Sequence, residues 1–291
     1  MKTERRKLRA LAATFLFPGL GQIYVGNWSK GLLVGLVFNV WIVLFCYVSI
    51  LVPTRLMLSV LVLGLLGLLF LFIWACVDAT RSARKQNVDY ELKGFNSWFV
   101  YVSYFLAMSF FVSRPVIQYV RSDFVEAYKV PSESMIPSVQ SGDHILVDKN
   151  YNKPMQKPVR RGDVVVFVQP NNRTTIYIKR ILGLPGDTVE FKGADVWVNG
   201  KSIGGEKSES GLAYSVTWDP NVQVRADSKV TVPNGMVFCV GDNRDHTNDS
   251  RNFGPVPIVD IIGKVKQVWL SPRPEGGFRW DRIGTVLDVN P

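Results

Sequence analysis

Histidine and cysteine are scarce in this 291-residue chain, at two and three residues. Two histidines, His144 and His246, cannot build a His-rich metal centre, so no metal site is expected. Cys46 and Cys76 fall inside apolar runs and Cys239 stands alone in the remainder, so no intradomain disulfide framework is expected. Charge is also sparse, at 20% of residues against 47% hydrophobic. That balance, with a mean hydropathy of +0.11, excludes a disordered or collagen-like chain. No internal repeat is evident. What charge there is amounts to a net +10, but it is unevenly placed. Residues 1–120 carry 12 basic and 4 acidic side chains, and residues 121–291 carry 22 and 20. Basic residues flanking apolar runs are the pattern of membrane insertion, and no nucleic-acid partner is expected.

Two domains are predicted, a membrane domain over 1–120 and a β-rich domain over 121–291. Residues 31–52 and 56–77 are uncharged runs of 22 residues each. As helices these would measure about 33 Å, enough to cross a hydrocarbon core of about 30 Å. A third run, 97–113, is rich in aromatics and ends at Arg114-Pro115. The shorter stretch 10–25 is broken by Pro18, Gly19 and Gly21, and is expected to form an interfacial or re-entrant hairpin. Its glycine spacing misses the dinucleotide fingerprint, and no cleavage signal follows it. With three spans, the basic stretches Lys2 to Arg9, Lys30, Arg81 to Lys85 and Lys93 share one side, which the positive-inside rule makes the cytoplasm. Everything after residue 114 is then expected outside it.

The second half reads as short β-branched and aromatic strands, such as Asp163 to Val168 and Thr175 to Leu182. Turns such as Pro185-Gly186-Asp187 and Asn199-Gly200 separate them. The fold class expected is a mostly β, barrel-like antiparallel domain preceded by an α-helical transmembrane domain. Residues 201–229 are expected to be a small polar insertion.

Three segments could carry chemistry. Ser132-Glu133-Ser134-Met135-Ile136-Pro137 sits on a Pro-flanked turn, which suits a presented nucleophile, although an ordinary Ser/Pro loop is the plainer reading of this segment alone. Tyr177-Ile178-Lys179-Arg180-Ile181-Leu182 puts one charge on each face of an apolar strand. Burial would lower the Lys179 pKa and leave an amine able to take a hydroxyl proton, whereas an edge-strand lysine that blocks aggregation is the bland alternative. The run Gly241 to Arg251 is dense in paired charge but lacks the calcium-loop glycine and glutamate. His144 reads as a sheet-packed or exposed residue and His246 as a solvated loop residue.

Together these segments carry a resemblance. Val130-Pro-Ser-Glu-Ser-Met-Ile-Pro, Gly142-Asp-His-Ile-Leu-Val-Asp-Lys149, Arg161-Gly-Asp-Val-Val-Val-Phe167, Tyr177-Ile-Lys-Arg-Ile-Leu-Gly-Leu-Pro-Gly-Asp187 and Gly241-Asp-Asn-Arg-Asp with Asp249-Ser-Arg occur in order. In these the chain resembles the bacterial type I signal peptidases (leader peptidases), membrane-bound Ser/Lys proteases. The tail Phe278-Arg-Trp-Asp-Arg-Ile-Gly284 is similar to the family's end. The resemblance implies Ser134 as nucleophile, Lys179 as general base and Ser132 as oxyanion hydroxyl. It puts Thr247 where the family usually has a lysine-orienting serine. Arg180, Asp242, Asp249 and Arg251 match supporting charges, and Tyr128, Val130, Met135 and Ile178 match the walls of small apolar pockets. The implied activity is removal of signal peptides from exported preproteins at Ala-x-Ala sites, on the outer side of the cytoplasmic membrane, without cofactor. Membrane lipid and the secretion translocon are the further partners implied. Trp218, Phe278 and Trp280 are candidate lipid contacts. Two rivals stand. A LexA-like self-cleaving protein shares the chemistry but needs a cytosolic DNA-binding domain, against which three spans argue. A catalytically silent membrane scaffold or assembly factor is the other, and intact Ser132, Ser134 and Lys179 weigh against it.

Overall fold

The computed structural model describes residues 7–85, 94, 96–151, 158–192, 195–203 and 229–287. The chain divides into two compact units, Met1–Val52 with Ser59–Ser122, and Pro53–Leu58 with Asp123–Pro291.

The N-terminal part is helical. Helices α1 (Lys7–Leu16), α2 (Leu20–Tyr24), α3 (Trp28–Leu51) and α4 (Thr54–Lys85) precede α5 (Trp98–Ala107), a π-helical stretch Met108–Ser113 and α6 (Arg114–Asp123). Among the described residues three helices are long and apolar enough to cross a membrane: Trp28–Ser49, Thr54–Lys85 and the composite Trp98–Asp123. The third outlasts its apolar run. Pro115 lacks an N–H, and its ring would press on the carbonyl four residues back; the wider π turn just ahead makes room, and the helix continues to Asp123. The segment expected to be a hairpin is α1 and α2, interrupted at Phe17–Gly19. Gly19 has φ +96°, and a Cβ there would fall 2.1 Å from the Gly31 carbonyl oxygen, so only glycine fits. The Tyr104 hydroxyl closes this break, within reach of the carbonyls of Pro18 (3.2 Å) and Gly31 (3.0 Å).

The second unit is the mostly β domain expected. Its strands are β1 (Val125–Lys129), β2 (His144–Asp148), β3 (Val164–Val168), β4 (Ile176–Gly183), β5 (Thr188–Lys192), β6 (Asp195–Val198), β7 (Lys201–Ile203), β8 (Lys229–Thr231) and β9 (Met236–Val240). A one-turn helix α7 (Ser250–Phe253), β10 (Val256–Pro257) and β11 (Ile261–Leu270) follow. They form a seven-stranded sheet, β1-β2-β11-β3-β4-β9-β10, and a four-stranded sheet, β7-β6-β5-β8, with every pairing antiparallel. Register shifts in β11 and β4 curl the larger sheet. Strand β3 is buried on both faces, which is why its sequence is an unbroken apolar run: Val164 and Val166 enter one core cluster, Val165 and Phe167 another. A third cluster joins Leu182 and Phe238 to Val189 and Phe191 of the smaller sheet. Of the 201–229 insertion, only Lys201–Ile203 and Lys229 are described; Trp218 lies outside the described residues.

The β1–β2 connection positions the serines. The backbone N–H groups of Val130 and Gly142 donate to the carbonyls of Asp143 and Val130, each at 2.8 Å, and close the loop at its base. Asp143 is fully buried there. Its carboxylate accepts from Arg282 Nη2 (2.7 Å), Ser271 Oγ (2.6 Å) and the Gln140 N–H (2.9 Å). Burial opposes the charge, but the Arg282 and Ser271 bonds outweigh it and hold the Asp143 pKa below the usual carboxylate range. Arg282 also donates to the Ser138 carbonyl at 3.0 Å, so the C-terminal segment grips the loop at two points. Replacing Asp143 by Ala leaves this arginine partly buried without its anion and is expected to cost about 3–5 kcal/mol, read as a fall in the unfolding midpoint. Because the folded pKa is depressed, the Asp143 contribution is present above the unfolded value and is lost as pH falls through the folded one. Asp143→Asn should therefore flatten the acid limb of the wild-type stability curve.

Candidate active site

Strand β4 is central, between β3 and β9. Its cross-strand partners are Val165 for Lys179, and Val164 and Val240 for Arg180, so both cations enter the interior. Both are buried, at 3% and 2% exposure. A buried cation needs a partner, and the two find different ones. Arg180 Nε and Nη2 donate to the two Asp242 carboxylate oxygens at 2.9 and 2.7 Å. Its Nη1 donates to the Gly162 carbonyl at 2.7 Å, and Nη2 also to Ser138 Oγ at 3.1 Å. Lys179 Nζ instead lies 2.8 Å from Ser134 Oγ and 2.9 Å from the Ile178 carbonyl oxygen, with the Tyr177 ring 5.1 Å away.

The carboxylates that act on Lys179 through space, Asp249 and Asp242, are already bound to arginines. Arg251 Nε and Nη2 reach the two oxygens of Asp249 at 2.9 and 2.8 Å. Asp249 also caps α7 through the Arg251 N–H and accepts the Gly241 N–H at 3.0 Å. Desolvation therefore wins at Lys179: burial brings its pKa down from 10.5 to about 8, against the weaker raising pull of Asp249. The neighbouring Cys239 thiol is fully buried and pushed far up, so it stays neutral.

Ser134, itself buried, begins a tight turn in which the Val139 N–H donates to the Met135 carbonyl at 2.9 Å. Ser132 is exposed, with its Oγ 3.2 Å from Ser134 Oγ. The Gly241–Asp249 loop packs on this turn. A Cβ at Gly241 would stand 2.5 Å from the Ser134 carbonyl oxygen and 2.4 Å from Thr247 Oγ1. Thr247 thus lies beside the site, but its buried hydroxyl accepts and donates no hydrogen bond among the described residues. The Lys179 amine is turned to Ser134 and Ile178 instead. Asn243 was not singled out by the sequence, yet its N–H donates to the Ser134 carbonyl at 3.2 Å and its Nδ2 to the Glu133 carbonyl at 3.1 Å. Its only sequence signal is membership of the charged run.

Val130, Met135 and Ile178 share one core cluster, with Tyr128 packed against it. Glu126 accepts from the Tyr128 hydroxyl at 2.6 Å and pairs with Lys149 at 3.0 Å, which fixes the ring. Neither histidine joins the serines: His144 packs edge-on against Trp269 at 5.8 Å, and His246 is exposed. Among the described residues no group of three or more His, Cys, Asp or Glu could hold a metal ion. Chemically, the arrangement is a hydroxyl in contact with a buried amine of lowered basicity, with a second hydroxyl beside it.

Residues 98–270 match the family described as signal peptidase, peptidase S26. The signal peptidase I of Pseudomonas aeruginosa is 31% identical over 282 residues, covering 80% of this chain and 98% of that one. Signal peptidase I V of Bacillus subtilis is 38% identical over 155 residues, covering 51% and 88%. A crystal structure of a signal peptidase I from Enterococcus faecalis V583 is 34% identical, covers 38% of this chain and 98% of that one, and superposes with a TM-score of 0.30. With more than half of its length matching the family and nearly the whole of one such relative aligned to it, the chain belongs to the signal peptidase, peptidase S26, family.

Proposed function

We propose that the protein is a membrane-bound endopeptidase that removes signal peptides from preproteins, with Ser134 as nucleophile and Lys179 as general base. The observation that carries this is the 2.8 Å contact between Lys179 Nζ and Ser134 Oγ in a buried setting. With a pKa of about 8, about a tenth of the amines are neutral at pH 7. An ordinary lysine at 10.5 would offer about one in three thousand. The neutral amine takes the Ser134 proton as Oγ attacks the scissile carbonyl. The Ser134 N–H and Ser132 Oγ receive the developing oxyanion. The ammonium then protonates the leaving amine, and the freed base activates the water that splits the acyl-enzyme.

The substrate lies extended, pairing with the backbone before Ser134 and before Lys179. Tyr128, Val130, Met135 and Ile178 wall small pockets that favour Ala-x-Ala ahead of the cut. Residues 1–120 form the membrane domain, with three spans and residues 10–25 at the interface. Lys30, Arg81, Arg84 and Lys85 mark its cytoplasmic side, and residues 121–291 work on the outer side, close to where the translocon delivers signal peptides. Phe278 and Trp280, whose rings pack at 5.4 Å and are exposed, are candidate lipid contacts.

Cleavage of a purified preprotein by the full chain tests the reading. Lys179→Ala should lower kcat by at least the 10²–10⁴ of a general base, to about the Ser134→Ala level. Ser132→Ala should lower it by about 10²–10³ and leave a remnant. Normal cleavage by Lys179→Ala would refute the pair. In wild type, kcat/KM should rise with pH through an apparent pKa near 8, because the active form is the unprotonated amine. Asn243→Ala loosens the nucleophile turn without touching the reacting atoms. It should lower kcat about tenfold with KM little changed and with the pH midpoint unmoved.

A further inference from the structure

Helices α3 and α4 leave a groove of about 320 Å³ between them. Leu33, Val37 and Phe38 of α3 and Phe70, Leu71 and Trp74 of α4 line it, with Lys30 at one end. The α3 residues recur at helical spacing from Lys30 to Phe38, a length of about 12 Å, most of one leaflet's share of a hydrocarbon core of about 30 Å. The walls are apolar and several are exposed, Phe70 at 69%.

The cationic end is constructed. Lys30 Nζ sits 2.6 Å from Asp78 Oδ1 and 5.6 Å from the centre of the Trp74 ring. Asp78 is held from the other side by the buried Gln22, whose Nε2 lies 3.3 Å from Oδ2 and donates to the Ala75 carbonyl at 2.9 Å. Exposed Arg81 follows one turn on along the stripe of α4 that carries Trp74 and Asp78. Lys30 and Arg81 against Asp78 leave one positive charge in excess. Trp28 opens α3 two residues before Lys30, and Trp74 of α4 lies beside the Lys30 amine; tryptophans at one level in this way mark the headgroup depth of a bilayer.

We infer that this groove binds an anionic phospholipid, its acyl chain between α3 and α4 and its phosphate at Lys30 and Arg81. Charge selects the occupant: an apolar slot that ends at the Lys30–Asp78 pair, with Arg81 one turn on adding a net positive charge among the described residues, fits a lipid of net negative charge better than a zwitterionic one. The site owes nothing to Ser134 or Lys179.

The test uses the full chain in neutral detergent, offered equal amounts of phosphatidylglycerol and phosphatidylcholine with the same acyl chains, and read by native mass spectrometry. Wild type should retain phosphatidylglycerol in preference. Arg81→Gln should reduce that preference about fivefold, the effect of one interfacial cation. Lys30→Gln with Asp78→Asn, which keeps the pair neutral and hydrogen-bonding, should reduce it further. Val37→Trp, on an exposed wall, should fill the slot and lose the lipid. Equal retention of both lipids by wild type, an undiminished preference in Arg81→Gln, wild-type retention by Val37→Trp, or displacement of the lipid by soluble glycerol phosphate would each overturn the assignment. Arg81 and Val37 are surface positions, so their variants decide the matter even if the double variant does not fold.

Discussion

Removing one lysine amine from water is the constraint on which the catalytic half is organised. An ammonium in an apolar interior is costly, and a protein ordinarily meets that cost with a carboxylate. Here the carboxylates are at hand but committed elsewhere, Asp242 to Arg180 and Asp249 to Arg251. Each pair is bidentate, which satisfies the arginine and leaves the lysine with a hydroxyl and a carbonyl. Two strong ion pairs thus serve a third cation by denying it a partner. The outcome is an amine that gives up its proton near neutral pH.

The rest of the β domain holds that arrangement still. Lys179 is on a central strand, paired with Val165 and followed at once by Arg180, which is paired on both sides, while Ser134 is on a loop. A loop has no ladder, so the serine is held by contacts from three directions. Asn243 binds the carbonyls on either side of the peptide, Arg180 and Arg282 bind Ser138, and Asp143 joins the loop's base to the C-terminal segment. Gly241 lets the charged loop approach the Ser134 carbonyl more closely than any side chain would allow. The helical unit has helices long and apolar enough to cross a membrane. Several of its polar groups bond one another, as with Gln22 Nε2, Asp78 and Lys30, or the Tyr104 hydroxyl and the carbonyls of Pro18 and Gly31.

Much of this was legible in the sequence, for physical reasons that differ by element. Apolar runs as long as a bilayer is thick announce long helices, and short β-branched runs between Gly-Asp and Asn-Gly turns announce antiparallel strands. The odd pairing of Lys179 with Arg180 on an apolar strand flagged the site, although that oddity alone did not separate a base from an edge-strand guard. The five ordered boxes are what favour the base. What stayed hidden depends on three-dimensional detail. That the helix continues past Arg114-Pro115 to Asp123 depends on the π turn ahead of Pro115, which no spacing rule reveals. Asn243 escaped notice because an amide that clamps backbone carbonyls has no chemical signature of its own. The resemblance puts Thr247 at a lysine-orienting position; its hydroxyl lies over Gly241 with no hydrogen bond among the described residues, while the amine turns to Ser134 and Ile178.

One proton, that of the Lys179 amine, decides the chemistry, and its titration can be read without substrate. Lysine labelled with ¹³C at Cε in the full chain, with the Lys179 resonance identified by its loss in Lys179→Arg, reports the amine's titration by NMR. The midpoint expected is near 8. A Lys179 that titrates at the ordinary 10.5 would mean a solvated, charged amine, and would contradict it.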